Sequence, residues 1–234
     1  VEIIPVIDLL RGQVVRAVRG ERSRYQPARS QLCDSSDPLE NARALLGLYP
    51  FKTIYIADLD AIQGVGNNLA QVAMLHEHFP DVDVWLDAGI RHHEQLLATS
   101  HQGLNSIIGS ENLESLPQYK ALAATQSESE MILSLDFNAD GFMGPQELLH
   151  NPDIWPSRLI CMALSRVGSY LGPDLGTLST LSKTIGQHRL YAAGGIRNIH
   201  DLQATKQLGV KGVLLASALH DNRISAAQLA ALMA

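Results

Sequence analysis

Residues 190–197 read Leu-Tyr-Ala-Ala-Gly-Gly-Ile-Arg, an apolar run of strand length broken by two glycines. The ending Gly195-Ile196-Arg197 also stands 106 residues earlier, as Gly89-Ile90-Arg91. At that offset Leu96 matches Leu202 and Gly103 matches Gly209. After a one-residue slip, Ile107-Ile108-Gly109-Ser110 aligns with Leu214-Leu215-Ala216-Ser217. A unit recurring at about half the chain length is the mark of a duplicated supersecondary block. The surrounding sequence repeats the same theme. Short apolar, β-rich runs lie at residues 3–7, 53–57, 82–86, 106–108, 131–135, 159–164, 190–193 and 210–215. Nearly continuous apolarity over so short a span is what a parallel sheet covered on both faces requires.

Between these runs the apolar spacing turns helical. Leu39, Ala42, Leu45, Leu46 and Tyr49 form one stripe behind Asp37-Pro38, a good cap and first-turn pair. Leu69, Val72, Leu75, His76 and Phe79 follow Asn67-Asn68, and further stripes run from Leu175 to Ile185 and from Ile224 to Leu232. Eight strands alternating with about eight helices predict right-handed βαβ units. No compositional break marks a linker, so the 234 residues predict one α/β domain, a (β/α)8 TIM barrel with a half-barrel internal repeat. A doubly wound open sheet fits less well. No strand is followed by G-x-G-x-x-G, since Gly64-Val65-Gly66 lacks the third glycine. Residues 14–18, flanked by Gly12 and Gly20, predict a small hairpin inside the first βα loop.

Composition narrows the function. With 18 Lys and Arg against 24 Asp and Glu, the net charge of −6 argues against a nucleic-acid or acidic-membrane partner. Aromatic residues at 5% leave little for base stacking. Cys33 and Cys161 are too few for a disulfide framework and predict reduced thiols in a cytoplasmic protein. Glu2 stands where a secretion signal carries positive charge, and no apolar run approaches 18 residues.

In a barrel of this kind chemistry sits at the C-terminal ends of the strands. Those ends read Asp8, Asp58, Asp87, Gly109, Asp136, Ser165, Gly194-Gly195 and Ala216-Ser217. Aspartate is a poor strand residue, so four of them at strand ends exceed what packing asks. Asp58 and Asp60 are expected to cap loops. Asp8 and Asp136 end the first and fifth strands, on opposite sides of the barrel, where a ligand between them would meet a base on one side and an acid on the other. Gly194-Gly195 and the Ala216-Ser217 turn predict a phosphate cradle, because glycine lets the main chain approach an anion.

Three other patterns compete. Asp136-Phe137-Asn138-Ala139-Asp140-Gly141, with Glu147 in twelfth position, satisfies the EF-hand calcium-loop pattern. The preceding residues 131–135 read as a buried strand rather than a helix, and no second hand accompanies the loop, so the match is read as accidental. None of the nine histidines, His92-His93 and the His76/His78 pair included, lies at metal-ligand spacing with carboxylates, so no metal is expected. Ser165 and Ser217 lack a His/Asp context for nucleophilic catalysis. Arg16, Arg19, Arg22 and Arg24 cluster in the first loop, where arginines beside Asp8 would close over a phosphorylated ligand.

Ile4-Pro5-Val6-Ile7-Asp8-Leu9, then Gly12-Gln13-Val14-Val15-Arg16 and Gly20, resembles the opening of the HisA branch of the HisA/HisF barrels. Asp58-Leu59-Asp60, Gly89-Ile90-Arg91, Ser134-Leu135-Asp136 and Ala193-Gly194-Gly195-Ile196 follow in that family's order and spacing, across nearly the whole chain. The resemblance implies an Amadori-type aldose–ketose isomerisation of a bisphosphorylated ribosyl intermediate of histidine biosynthesis, with no cofactor. It implies Asp8 as general base and Asp136 as general acid. It also implies phosphate contacts from Gly89, Gly109 and Ser110 in one half, and from Gly194, Gly195, Ala216 and Ser217 in the other.

The chain departs from that family at defined places. The first cradle, Gly-Gly-Gly-Ile-Arg in the family, is Asp87-Ala88-Gly89-Ile90-Arg91 here. A carboxylate there repels a phosphate dianion and is costly to bury unpaired. The Gly-Arg-Ala after strand eight becomes Ala216-Ser217-Ala218, and the strand-six threonine and later Asp-Gly become Met162 and Val167-Gly168. The pattern resembles HisA-related paralogues of methanogens and methylotrophs, which implies an isomerase for a different phosphorylated sugar or ribosylamine, in the synthesis of one-carbon cofactors of the methanopterin or methanofuran type. Asp87, Arg16 and Arg19 are then candidate substrate contacts. The alternatives are a true histidine-pathway isomerase and a non-catalytic phosphate-binding descendant.

Overall fold

A computed structural model of the protein describes residues 1–19, 21–125 and 130–233; Gly20 of the opening motif lies outside the described residues. Eight strands carry the architecture: β1 (Glu2–Leu10), β2 (Thr53–Asp58), β3 (Asp83–Asp87), β4 (Asn105–Gly109), β5 (Met131–Asn138), β6 (Arg158–Ala163), β7 (Arg189–Ala193) and β8 (Gly212–Leu215). Each pairs in parallel with its chain neighbour, and β8 returns to β1 with Gly212 opposite Glu2, closing a (β/α)8 barrel. All eight predicted strands are present, shifted by a few residues at their ends.

Alternation along each strand divides the core in two. Ile3, Ile7, Ile54, Ile56, Leu133 and Leu135 face outward under the helices. Ile4, Tyr55, Trp85, Ile107, Ile132, Ile160, Tyr191 and Leu214 fill the barrel interior. Trp85 and Tyr191 meet edge to face there with ring centroids 4.9 Å apart. Counting on by twos from this plug, the inward positions become Asp8, Asp87 and Asp136, beside the small Ala57 and Ala193. Large apolar side chains below and small or acidic ones above turn a packed core into a floored cavity.

The connections follow the sequence signals closely. Asp37 accepts the Glu40 N–H at 2.9 Å and opens helix Pro38–Leu48. Asn198 accepts from His200 and Asp201 at the start of Ile199–Gln207. Asn68 precedes helix Leu69–His78 but does not cap it with its side chain. Its amide instead donates to Asp58 and Asp60, 2.7 Å each, and its oxygen accepts the Gly12 N–H at 2.7 Å. Asp58 also accepts from Ala61 and Asn68 main chain, and Asp60 from Arg11 at 2.6 Å. The two acids are loop clamps, as expected, and their loop holds the root of the first βα loop.

Two hairpins rise above the barrel. Gln13–Arg16 pairs antiparallel with β1, Val15 opposite Asp8, where a hairpin over 14–18 is expected. Gly141–Met143 folds back on β5, Met143 opposite Asp136. The EF-hand-like stretch is thus a tight β-hairpin continuing a strand, followed by only one helical turn, Gln146–Leu149. Among the described residues no helix is long and apolar enough to cross a membrane.

Candidate active site

The barrel mouth holds a cavity of about 460 Å³. Its walls include Asp8, Asp87, Glu111 and Asp136 from the ends of β1, β3, β4 and β5, and Gly194, Gly195, Ala216 and Ser217 beyond β7 and β8. Register sets the levels. Asp8 lies opposite Ala57 and Ala57 opposite Asp87, while Asp136 lies opposite Met162 and Met162 opposite Ala193. The structure therefore brings the two strand-end acids predicted as base and acid into one chamber.

Their environments differ. Asp136 is 4% exposed and heavily bonded. Ser134 Oγ donates to its Oδ1 at 2.6 Å, and the Glu111 N–H and Ser110 Oγ donate to its Oδ2 at 3.0 and 3.3 Å. Burial nevertheless pushes its carboxyl up to about 8, because those donors offset only part of the desolvation cost. The Asp8 carboxylate accepts no hydrogen bond among the described residues. Burial raises it to about 7, with the Arg22 guanidinium holding it down and Asp87 pushing it up. Asp87 rises to about 6 through burial, resisted by the Gly89 N–H at 3.1 Å and by the Tyr55 hydroxyl, also at 3.1 Å. Near neutral pH the site thus offers a carboxyl that is mostly protonated and another that is close to half ionised.

The two Gly-Ile-Arg motifs are built alike and used differently. Gly89 and Gly195 both have positive φ, +58° and +89°. At Gly89 the N–H turns to Asp87, and Arg91 folds inward to the carbonyls of Gly89 and Ile62 (3.0 and 3.1 Å) and to Asn112. A Cβ there would sit 2.6 Å from Ile62 Cα, so this glycine answers to packing. Gly109 likewise leaves room for Asp136, whose Oδ2 would lie 3.2 Å from a Cβ. Gly89, Gly109 and Ser110 consequently stand behind the cavity wall rather than on it, with the Ser110 hydroxyl and Glu111 N–H spent on Asp136. In the second half Arg197 turns away to Asp201, at 2.8 and 2.9 Å. The N–H groups of Gly195 and Ile196 then find no acceptor among the described residues. Gly195 lies against Gly172 O, 2.3 Å from where a Cβ would be, so only glycine fits.

The first βα loop forms the roof. Arg19, Arg22 and Tyr25 line the cavity, and Arg19 N–H bonds to Val167 O at 2.7 Å. Gly168 permits that contact, since a Cβ would lie 2.0 Å from Ala17 O. Arg16, a candidate substrate contact, faces elsewhere: its Nη2 lies 2.9 Å from both Asp221 Oδ1 and the Tyr170 hydroxyl. Arg22, Tyr25, Tyr55 and Glu111 are site residues that the motifs alone do not single out. Arg22 is marked in the sequence only as one of a cluster, and Glu111 carries a signal only in following Gly109-Ser110 at a strand end.

Relatives carry this architecture. The chain matches the histidine biosynthesis protein family over residues 2–225. It is 33% identical to an uncharacterized protein of Methanocaldococcus jannaschii over 227 residues, 94% of this chain and 93% of the relative. It is 28% identical to an imidazole-4-carboxamide isomerase of Leuconostoc mesenteroides over 243 residues, covering 97% and 98% of the two chains. It is 27% identical over 233 residues to the phosphoribosyl isomerase A of Streptomyces griseus, covering 94% and 92%. The protein therefore belongs to the histidine biosynthesis protein family of HisA/HisF barrels.

Proposed function

We propose that the protein is an aldose–ketose isomerase of the Amadori type. In this reading it acts on a sugar or ribosylamine carrying one phosphate rather than the bisphosphorylated intermediate of histidine biosynthesis. The observation that carries the proposal is the single chamber that brings together the Asp8 carboxyl, without a hydrogen-bond donor among the described residues, and the Asp136 carboxyl, held by three donors, with an open backbone anion cradle beyond β7 and β8. For a ribosylamine, Asp136, protonated, gives its proton to the ring oxygen as the C1–O bond breaks and the C1 nitrogen lone pair forms C1=N. Asp8, ionised, takes the proton from C2; the C–H pair forms C1=C2 while the C1=N pair returns to nitrogen. The enaminol becomes the ketose by gaining a proton at C1 and losing the one on the C2 hydroxyl. Atoms balance without a co-reactant, as an isomerisation requires. Gly194, Gly195, Ala216 and Ser217 would hold the phosphate through backbone N–H groups, with Arg19 from the roof as counter-charge.

One phosphate suits the cavity better than two. The β3–β4 side carries Asp87 and Glu111, and the donors that would meet an anion there are turned onto Asp87 and Asp136. The β6 side offers Met162 and Val167 where the family places a threonine and an aspartate, removing contacts a longer substrate would use. Expression at ordinary levels in a strain lacking the histidine-pathway isomerase is therefore expected to leave it auxotrophic. Growth without histidine would refute the substrate assignment while leaving the acid–base pair intact.

A further inference from the structure

We propose that Asp87 sets specificity from inside the first-half cradle: its carboxylate takes the place of an anion there, so the substrate end lying against β3 carries a hydrogen-bond donor, a hydroxyl or an amine, and no phosphate. This rests on the isomerase reading for its meaning and adds the chemistry of the end that is not phosphorylated.

The internal repeat carries the argument. At the 106-residue offset that matches Gly89-Ile90-Arg91 to Gly195-Ile196-Arg197, Asp87 falls on Ala193. Both residues end a strand and both line the cavity. In the second half the methyl of Ala193 offers no acceptor, and the Gly195 N–H finds none among the described residues. In the first half Asp87 Oδ1 accepts the Gly89 N–H at 3.1 Å. The same main-chain donor is open in one turn and held by the chain's own carboxylate in the other.

The rest of that carboxylate is aimed at recognition. The Tyr55 hydroxyl donates to Asp87 Oδ2, also at 3.1 Å, and Tyr55 lines the same cavity. An ionised carboxylate can accept about four hydrogen bonds, so the two made here leave about half of that capacity for a ligand. A carboxylate 8% exposed on a cavity wall favours an O–H or N–H and repels a phosphate dianion.

Barrel order says which part of a ligand meets it. β3 and β7 stand four strands apart in either direction round the closed sheet, so Asp87 faces the Gly194-Gly195 turn across the mouth. β1 and β5, which carry Asp8 and Asp136, form the crossing pair. A ligand anchored by its phosphate beyond β7 thus sets its reacting carbons between Asp8 and Asp136 and its C1 substituent against Asp87.

The test uses unreactive polyols with one anchor and four different ends: 1-deoxyribitol 5-phosphate, ribitol 5-phosphate, 1-amino-1-deoxyribitol 5-phosphate and ribitol 1,5-bisphosphate. Affinities are measured by calorimetry at pH 8, above the value of about 6 to which burial raises the Asp87 carboxyl. In the native protein a donor end should bind about 10-fold or more tighter than the methyl end, as for a hydrogen bond to a charged group, and the bisphosphate should bind weakest. A tighter ammonium end identifies the donor as an amine, and parity with the hydroxyl end identifies it as a hydroxyl. In Asp87→Ala, which copies the second half, the donor advantage should vanish and the bisphosphate become the tightest ligand. Asp87→Asn keeps an acceptor for the Gly89 N–H without the charge. It should relieve the repulsion without making the bisphosphate tightest, and it stands in should the alanine variant fail to fold. A native preference for the bisphosphate over the methyl end overturns the proposal, as does a ranking unchanged in both variants. Either result leaves the isomerase reading standing, because turnover of a monophosphorylated aldose is assayed separately. The expected ranking without such turnover would uphold the Asp87 subsite and remove the isomerase reading. Absence of binding by all four ligands overturns both.

Discussion

Asp8→Asn is expected to lower kcat by about 10²–10⁴-fold, the range for losing a positioned general base, while leaving the fold intact. The near-neutral effect on stability follows from the geometry. Asp8 makes no hydrogen bond that the amide would break, and it stands at the open end of the interior rather than in the apolar plug. Its effect on stability should also have a sign. The folded carboxyl is raised from 3.8 to about 7, so the native state binds the proton more tightly than the unfolded chain. That contribution is complete below about 3.8 and is lost as pH rises through about 7. The amide does not ionise, so the variant should gain on the native protein above neutrality. Thermal melts at pH 5 and pH 9 beside rate measurements check both parts. A fall in melting temperature matching the fall in rate would mean that Asp8 is structural.

Asp136→Asn is expected to cost a similar factor in kcat but to behave differently as a structural change. Its carboxyl accepts from Ser134, Ser110 and the Glu111 N–H, and an amide presents N–H groups to some of those donors. Leaving buried donors facing one another costs about 1–3 kcal/mol, so at pH 5 the variant should melt below the native protein. The native carboxyl is raised further than that of Asp8, from 3.8 to about 8. Its stabilising share is therefore lost over a wider window, as pH climbs from about 4 through 8. The gap between variant and native protein should close across that window and reverse by pH 9. Paired melts at the two pH values test this, and a constant gap would contradict the raised carboxyl. Asp8→Asn should show only the gain and Asp136→Asn a crossing, which distinguishes a carboxyl held in a hydrogen-bond network from one without side-chain donors.

Most of the fold can be read from the chain because each strand is covered on both faces and so declares itself as an apolar run. The inward direction of Asp8, Asp87 and Asp136 is legible for the same reason. Each keeps step by twos with an interior residue, Ile4, Trp85 and Ile132. The cradle is only half legible. Gly89-Ile90-Arg91 and Gly195-Ile196-Arg197 are the same words, and what separates them is where each arginine finds its acceptors, at Ile62 and Asn112 or at Asp201. Asp201 lies four residues from its partner and was within reach of a helix-spacing argument. The contacts of Arg91 depend on two other loops and were not. Arg22 and Glu111 lie furthest from legibility, 89 residues apart in a segment without periodicity. Only closure of the barrel brings β1 and β4 ends under one roof. Asn68 shows the reverse: a good capping residue by type, diverted by two buried acids that need its amide more.

The central claim is that Asp8 as base and Asp136 as acid act on a singly phosphorylated substrate in one chamber. The pH dependence of kcat/KM for isomerisation of a monophosphorylated ribosylamine tests it most directly. The rate should rise through about 7 as Asp8 ionises and fall through about 8 as Asp136 loses its proton, giving a narrow maximum between them. A profile flat across both values, or one whose limbs persist in Asp8→Asn and Asp136→Asn, would contradict the account.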